Sequence, residues 1–427
     1  MTYEESLIYL ENLCKFGINL GLGRIEKLLE LMDHPERKFK TIHITGTNGK
    51  GSTTAMLASI LTAAGIKTGM YTSPHLASYT ERMMIDGLEV SPTEFGTAIE
   101  YTSLFVEKVI SLGLDHPTEF EVLTAATFHY FAICGVEYAV IEVGLGGLLD
   151  STNVIMPEVA VITNVTMDHI DKCGSTIIDI ANHKAGIIKQ GVPVITAARG
   201  QALEVIKQRA KGKSAKIYIA GEDFSAQFLG RVEHRQQVAI EMDGKGNIGT
   251  FIVNLLGYHQ VDNCAVAVMA AMVLAEKEPR ISLSALQEGL LKVCWPGRFE
   301  VFAGKPTIII DGAHNQDGAR VLRKNLNEFY RENKIVFLLG ILRDKDVTAI
   351  VRELIRTTDK VVVVAPLSER AGNPQDVACE IQAAHVETAD SITAGLERAR
   401  VLAGDNGVIC IAGSLYLIGA ARRIICK

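Results

Sequence analysis

Thr45-Gly46-Thr47-Asn48-Gly49-Lys50-Gly51-Ser52-Thr53-Thr54 lies between the apolar run Thr41 to Ile44 and a helical pattern that begins at Ala55. A β-branched run feeding a glycine-rich turn and then a helix aims backbone N–H groups into one concavity, where the helix N-terminus adds partial positive charge. The stretch therefore reads as a phosphate-binding loop, in which Lys50 reaches the β- and γ-phosphates and Ser52 ligands Mg²⁺. It departs from the general G-x-x-x-x-G-K-[ST] pattern. Only two residues separate Gly46 from Gly49, and Gly51 stands between Lys50 and Ser52.

Working outward, residues 1 to about 38 form an amphipathic helical preface with a break at Gly21 to Gly23, suited to covering a first sheet. The strand ending at Ile44, the loop, a helix from about Gly51 to Ala64 and a strand Thr68 to Tyr71 open a doubly wound α/β domain. Thr72-Ser73-Pro74-His75-Leu76 and the polar residues through Glu81 and Arg82 have neither helical nor strand period, and read as an extended surface loop near the phosphates. Helical patterns follow over Pro92 to Leu112 and Glu119 to Cys134. A buried strand, Tyr138 to Ile141, then delivers Glu142, and Gly144-Leu145-Gly146-Gly147 turns into Asp150-Ser151-Thr152-Asn153. The strand Val159 to Ile162 ends in Thr163-Asn164-Val165-Thr166-Met167-Asp168-His169. Ligands gather at the carboxyl ends of such strands, so Glu142 and His169 are candidate Mg²⁺ ligands beside Ser52 and Ser73. A helix over Thr176 to Ile188 carries Lys184, either a solvated charge or a cation that must be balanced near Mg²⁺ and phosphates.

Strands near Val192 to Thr196 and Ala215 to Ala220 continue the sheet, and glycine-punctuated short runs over about 223–256 suggest a small antiparallel appendage. Asn263, one turn into the next helix, either faces a nucleotide base or caps that turn. The breaker-rich Trp295-Pro296-Gly297-Arg298-Phe299-Glu300 marks a boundary, dividing the chain into 1–296 and 297–427. A second α/β alternation follows, with strands at Thr307 to Ile310, Lys334 to Leu338, Lys360 to Ala365 and Gly407 to Ile411. Asp311-Gly312-Ala313-His314-Asn315, Gly340 to Asp346 and Gly413-Ser414 follow three of these strands and look like a second half-site.

A chain of 427 residues is too long for one core. With 48% apolar and 22% charged residues it has the composition of a soluble globular enzyme. A net charge of −6 and the lack of a basic run argue against a nucleic-acid partner. No membrane-length apolar segment or signal-peptide layout is present, so a cytoplasmic protein with no membrane partner is expected; a monomer is expected as well. Eight cysteines without a C-x-x-C pair read as reduced core residues.

Taken together, T-G-T-N-G-K-G-S at Thr45 to Ser52, Y-T-S-P-H-L at Tyr71 to Leu76 with Glu81-Arg82, and E-V-G-L-G-G with D-S-T-N at Glu142 to Asn153 form an ordered motif set. It continues with Asp168-His169, H-K-A-G at His183 to Gly186, P-G-R-F-E at Pro296 to Glu300, D-G-A-H-N at Asp311 to Asn315 and G-S-L-Y at Gly413 to Tyr416. With it the chain resembles, over nearly its whole length, the folylpolyglutamate synthase/dihydrofolate synthase family of the Mur ligase superfamily. The resemblance implies a P-loop ATPase-like N-terminal domain, a smaller Rossmann-like C-terminal domain and an active site in the cleft between them. It implies that a substrate carboxylate is activated by ATP as an acyl phosphate and captured by the amine of L-glutamate. The substrate would be a folate, or also dihydropteroate. Lys50, Glu142, His169 and Lys184 would be catalytic. Thr47, Asn48, Gly49, Lys50, Gly51, Ser52 and Thr53 would cradle the nucleotide with Asn263, Arg298, Asp311 and His314. Two Mg²⁺ ions would sit among Ser52, Ser73, Glu142, His169 and a CO₂-carbamylated Lys184. Ser73, Pro74, His75, Arg82 and Asp150 would meet the pterin-bearing substrate, and Ser414 the glutamate.

Two alternatives compete with that reading. A cell-wall Mur ligase usually carries an extra N-terminal domain for a UDP-sugar, and here about 38 residues precede the first strand. A nucleotide-dependent ATPase switch would have no need of the second strand-end cluster.

Overall fold

The computed structural model describes residues 1–17, 19–167 and 170–426, with the backbone alone for Ile170 and Asp171. The chain forms two compact units, one of Met1–Gly230, Gln237–Val253 and Val261–Val293, the other of Arg231–Gln236, Asn254–Gln260 and Cys294–Lys427. The second thus draws in two short segments from before the breaker-rich turn, which a linear reading of composition has no means of showing.

In the first unit, strands β1 (Lys40–Thr45), β2 (Thr68–Tyr71), β3 (Met83–Ile85), β4 (Leu88–Glu89), β5 (Tyr138–Glu142), β6 (Val159–Ile162), β7 (Val194–Thr196) and β8 (Ile217–Ile219) form one sheet. Their order is β4-β3-β2-β5-β1-β6-β7-β8. From β2 to β8 every pairing is parallel, whereas β3 and β4 add antiparallel strands at one edge. Strands covered on both faces need no alternation, and β5 and β6 are buried at every position. β1 lies between β5 and β6, so the carboxyl ends of these three strands, at Thr45, Glu142 and Ile162, are neighbours at a topological switch point.

The N-terminal preface is integral to this unit. Leu10, Leu13, Ile25 and Leu28 join Phe95, Phe128 and Phe131 in one core cluster. Burying each such side chain contributes about 1.5–3 kcal/mol, more than a loose arm could forgo. A separate cluster seats Ile180 and Ile206, on helices Ile177–Ala185 and Gly200–Gly212, against Ile162 and Val194.

Strands β9 (Phe224–Val232), β10 (Arg235–Met242) and β11 (Gly246–Val253) form a three-stranded sheet in which chain neighbours are also spatial neighbours. In the second unit β12 (Glu300–Phe302), β13 (Thr307–Ile310), β14 (Ile335–Leu339), β15 (Lys360–Val363), β16 (His385–Thr388) and β17 (Val408–Ala412) take the order β12-β13-β17-β14-β15-β16. All pair in parallel except β12. Because β17 sits between β13 and β14, the ends that carry Asp311, Ser414 and Gly340 are adjacent.

The sequence reading missed β3, β4, β12 and β16. Each has four residues or fewer and lies toward a sheet edge, where half-exposed positions replace the apolar run. Its cysteine assignment also needs correction: Cys173, Cys264 and Cys410 are buried, but Cys14, Cys294, Cys379 and Cys426 are exposed. Cys14, Cys379 and Cys426 fall at helix ends, where an apolar pattern runs out before its last residue. Among the described residues no helix is long and apolar enough to cross a membrane.

Candidate active site

The loop after β1 is laced to the loop after β6. Thr47 N–H donates to the Asn164 carbonyl (2.9 Å), Asn48 N–H to Asn164 Oδ1 (2.8 Å), and Thr163 Oγ1 to the Asn48 carbonyl (2.7 Å). A Cβ at Gly46 would run into Thr163, and one at Gly49, where φ is +83°, into the amide of Asn263. Asn263 therefore lies against the phosphate loop. The helix that follows, Lys50–Ala63, has Gly49 as its N-cap and no side-chain cap hydrogen bond. A helix N-terminus of this length, not closed by its own cap, suits an anion.

Lys50 Nζ donates to the carbonyls of Gly46 (3.1 Å) and Thr47 (3.3 Å), folded back over the loop. A pocket lined by Thr47, Lys50, Gly144, Gly146 and Lys184 opens beside it. Lys184 is 6% exposed and lies in the last turn of Ile177–Ala185, a helix started by a reciprocal cap between Thr176 and Asp179. The Gly144–Gly147 turn packs on that helix end, where Leu148 N–H donates to the His183 carbonyl (2.7 Å). Glu142, 4% exposed, accepts from the Ser73 N–H at 3.3 Å. Ser52 is buried in the first turn of its helix. His169 and Asp168 lie outside the described residues. Among the described residues no group of three His, Cys, Asp or Glu converges as a preformed cage. A hydroxyl and carboxylate set fits Mg²⁺ nonetheless, because that ion keeps several waters and substrate phosphate oxygens.

Asp150 is turned inward. Its Oδ2 accepts from Leu145 N–H (2.8 Å), its Oδ1 from Thr152 N–H (3.0 Å) and from the Thr152 hydroxyl. That hydroxyl, having given its proton to Asp150, accepts from His43 Nε2 at 2.8 Å. The tautomer of His43 follows: Nε2 carries the proton, and the buried Nδ1 has no partner among the described residues. Burial raises the Asp150 carboxyl and pushes His43 down from 6.5 to about 3. Below pH 6.5 the unfolded chain takes up a proton that folded His43 refuses, so its contribution is complete above 6.5 and is lost on acidification toward 3. His43→Gln, which keeps a donor for Thr152, is expected to show a smaller fall in Tm between pH 7 and pH 4 than the wild type, measured calorimetrically.

The stretch Ser73 to Arg82 corrects the expectation of a surface loop. It closes with a turn, Tyr79–Arg82, whose Ser78 and Glu81 cap each other, and Glu81 also accepts from the Leu76 and Ala77 N–H groups (2.7 Å each). Arg82 is 8% exposed. Its Nε donates to His75 Nδ1 (2.9 Å), an Nη lies 3.5 Å from Glu119, and its guanidinium stacks 4.8 Å over Tyr79. Burial and the Arg82 charge hold His75 near 3, hence neutral. A polar stretch without periodicity hides this because its order comes from side-chain to backbone bonds.

In the second unit Asp311 spans the strand end, its Oδ2 accepting from Phe299 N–H (2.9 Å) and its Oδ1 from Ala313 N–H (2.8 Å). Burial raises its carboxyl, and the Arg298 guanidinium partly offsets this. His314 Nδ1 donates to the Gly312 carbonyl at 2.8 Å. Ser414, 1% exposed, caps the helix Leu415–Ile425 by accepting from Tyr416 N–H (3.1 Å), and Gly413 N–H donates to the Ala313 carbonyl (2.9 Å). The structure thus gathers Thr47, Lys50, Lys184 and the Glu142–Ser73 pair in one unit, and Arg298, Asp311, His314 and Ser414 in the other. Thr163, Asn164, Glu119 and the His43–Thr152 pair received no role from the sequence. Thr163 and Asn164 had a legible signal, polar residues at the end of the strand next to the loop strand.

Residues 44–271 match the family described as Mur ligase middle domain, and residues 297–415 that described as Mur ligase, glutamate ligase domain. The fold and the two clusters thus define a Mur-type ligase. The chain is 34% identical to the dihydrofolate synthase/folylpolyglutamate synthase of Bacillus subtilis, over 99% of this chain and 98% of that protein. It is also 34% identical to the folylpolyglutamate synthase of Lacticaseibacillus casei, over 100% and 99%. Mycobacterium tuberculosis folylpolyglutamate synthase, solved with ADP and AMPPCP, superposes with a TM-score of 0.92 at 32% identity, over 100% of this chain and 99% of that one. The chain belongs to the folylpolyglutamate synthase/dihydrofolate synthase family.

Proposed function

We propose that this protein joins L-glutamate to the γ-carboxyl of a folate, using ATP to form an acyl phosphate; dihydropteroate is the second acceptor to test. The observation that carries this reading is the uncapped helix N-terminus at Gly49, with Lys50 and Lys184 lining the pocket beside it. The loop N–H groups and Lys50 hold the β- and γ-phosphates, and Asn263, against Gly49, meets the base. Arg298, Asp311 and His314 hold the remainder of the nucleotide. Phosphoryl transfer depends on position and charge neutralisation, which such donors supply. Ser52, Ser73, Glu142, His169 and a carbamylated Lys184 would hold Mg²⁺, which neutralises charge on the phosphates when bound. Arg82, His75 and Pro74 shape the wall for the pterin-bearing substrate, Asp150 holds the glycine turn behind it, and Ser414 receives the glutamate. The chain works as a monomer in the cytoplasm.

The relatives' printed activities differ on the acceptor, so one assay decides it. Purified protein with ATP, Mg²⁺, L-glutamate and tetrahydrofolate should release ADP only when both co-substrates are present, with a γ-glutamyl product by mass spectrometry. ADP release indifferent to folate and glutamate would leave an ATPase and sink the ligase reading. Replacing folate by dihydropteroate tests the second activity.

A further inference from the structure

Of the strand ends that adjoin in the second unit, the one after β14 has no part in the reaction proposed above. Gly340 to Asp346 carries Arg343 and lies beside Ser414. β14 pairs with β17, and a Cβ on Gly413, where φ is +106°, would come within 2.9 Å of the Gly340 carbonyl oxygen. On its other side the loop is laced to the one after β15. Arg343 N–H donates to the Arg370 carbonyl (3.0 Å) and Gly372 N–H to the Ile341 carbonyl (3.0 Å), while Leu342 and Ala371 pair as an isolated antiparallel bridge. Gly372 permits that approach, because a Cβ there would stand 2.7 Å from the Ile341 oxygen. The lacing holds Arg343 and Arg370 side by side at the carboxyl edge of the sheet, and both are exposed.

Their guanidinium groups are positioned but not saturated. Arg343 Nη2 donates to the Glu369 carbonyl (3.0 Å), and Arg370 Nη1 lies 3.4 Å from Asp344 Oδ2. Each contact occupies a fraction of the five N–H donors that a guanidinium carries. Among the described residues Arg343 has no salt bridge to a carboxylate. Asp346 is committed to capping the helix Val347–Leu354, where it accepts from Ala349 N–H (2.9 Å).

The strand order says what such a pair can meet. Along β13-β17-β14-β15 the proposed nucleotide residues Asp311 and His314 follow β13, and Ser414, proposed to receive the glutamate, follows β17. Adjacent strands are about 5 Å apart, so the two arginine loops lie about 5 and 10 Å from the Ser414 strand, on the side away from Asp311 and His314. An amino acid anchored at Ser414 can extend its side chain in that direction without crossing the nucleotide. Guanidinium groups there suit a carboxylate, whose two oxygens accept a fork of N–H donors. A carboxamide offers one such oxygen and turns its own N–H donors toward the fork.

We propose that Arg343 and Arg370 receive the side-chain carboxylate of the incoming L-glutamate and so select glutamate over glutamine. The proposal rests on the ligase reading above, and it adds to Ser414 the groups that read the far end of the same amino acid.

The test uses full-length wild type, R343Q, R370Q and R370K with ATP, Mg²⁺ and tetrahydrofolate. KM for L-glutamate is measured beside KM for ATP. L-Glutamine and L-isoglutamine, the side-chain amide and the α-amide of glutamate, are titrated as competitors of glutamate. R343Q and R370Q should each raise KM for glutamate about 10–100-fold, the worth of one charge-assisted hydrogen bond, and leave KM for ATP in place. Inhibition by isoglutamine, which keeps the side-chain carboxylate, should weaken by the same factor, whereas inhibition by glutamine should hold. R370K, which keeps the charge but not the fork, should fall between wild type and R370Q. An unchanged KM for glutamate in both Gln variants, equal weakening of both amides, or weakening of glutamine alone would each overturn the assignment, the last by placing the arginines on the α-carboxylate. A wild type that ligates no glutamate would instead overturn the ligase reading.

Discussion

Lys50→Met is expected to lower kcat about 10²–10³-fold, the loss typical of removing one preorganised donor from a developing charge. Methionine keeps the length and most of the stem, so packing on the loop is conserved, but the ammonium is gone. That charge is placed by the fold. Gly49 in the left-handed region starts the helix Lys50–Ala63, so Lys50 is its first residue and its Nζ reaches back over the loop to the Gly46 and Thr47 carbonyls. In the proposed reaction it leaves those carbonyls for the γ-phosphate, where charge changes most in the transition state. The effect should therefore fall on kcat more than on the KM for ATP, since the loop N–H groups go on binding the nucleotide. Single-turnover ADP formation together with a thermal melt checks this. A Tm within about 2 °C of wild type with unchanged single-turnover rate would remove Lys50 from the chemistry.

The two strand-end clusters were not equally legible in the sequence. A phosphate loop declares itself because its glycines, lysine and flanking strand and helix are contiguous, and the carboxyl-end rule then put Glu142 and the 163–169 segment beside it. Parallel strands buried on both faces also read clearly, as β5 and β13 did. What stayed hidden was whatever depends on side-chain contacts that form only on folding. Arg82 looked like a loop cation because His75, Tyr79 and Glu119 close around it only after folding. Asp150 looked like a group facing a substrate because nothing local shows its bonds to Leu145 and Thr152, or the buried His43 behind them. Asn263 could have gone either way, and only the collision a Cβ at Gly49 would make places it against the phosphate loop. The edge strands escaped because they carry too few apolar residues for a period of two to emerge.

Lys184→Ala should cost as much as Lys50→Met, and for a different reason. At 6% exposure Lys184 lines the same pocket as Lys50. A neutral lysine amine is the form that adds CO₂. In the proposed carbamylation the amine nitrogen would attack the carbon, one proton would be released, and a carbamate anion would replace the cation. The new carboxylate would suit Mg²⁺ where an ammonium would repel it. Three results are expected together. Lys184→Ala loses about 10²–10³-fold in kcat, comparable to other losses of charge stabilisation at a transition state. Acetate or formate in the cavity left by the side chain restores part of that rate, while chloride at equal ionic strength does not. Wild-type protein equilibrated with ¹³C-bicarbonate shows a carbamate carbon resonance that Lys184→Ala lacks. Loss of rate without rescue or resonance would leave Lys184 acting as a cation. Full activity in Lys184→Ala would exclude it from the reaction altogether.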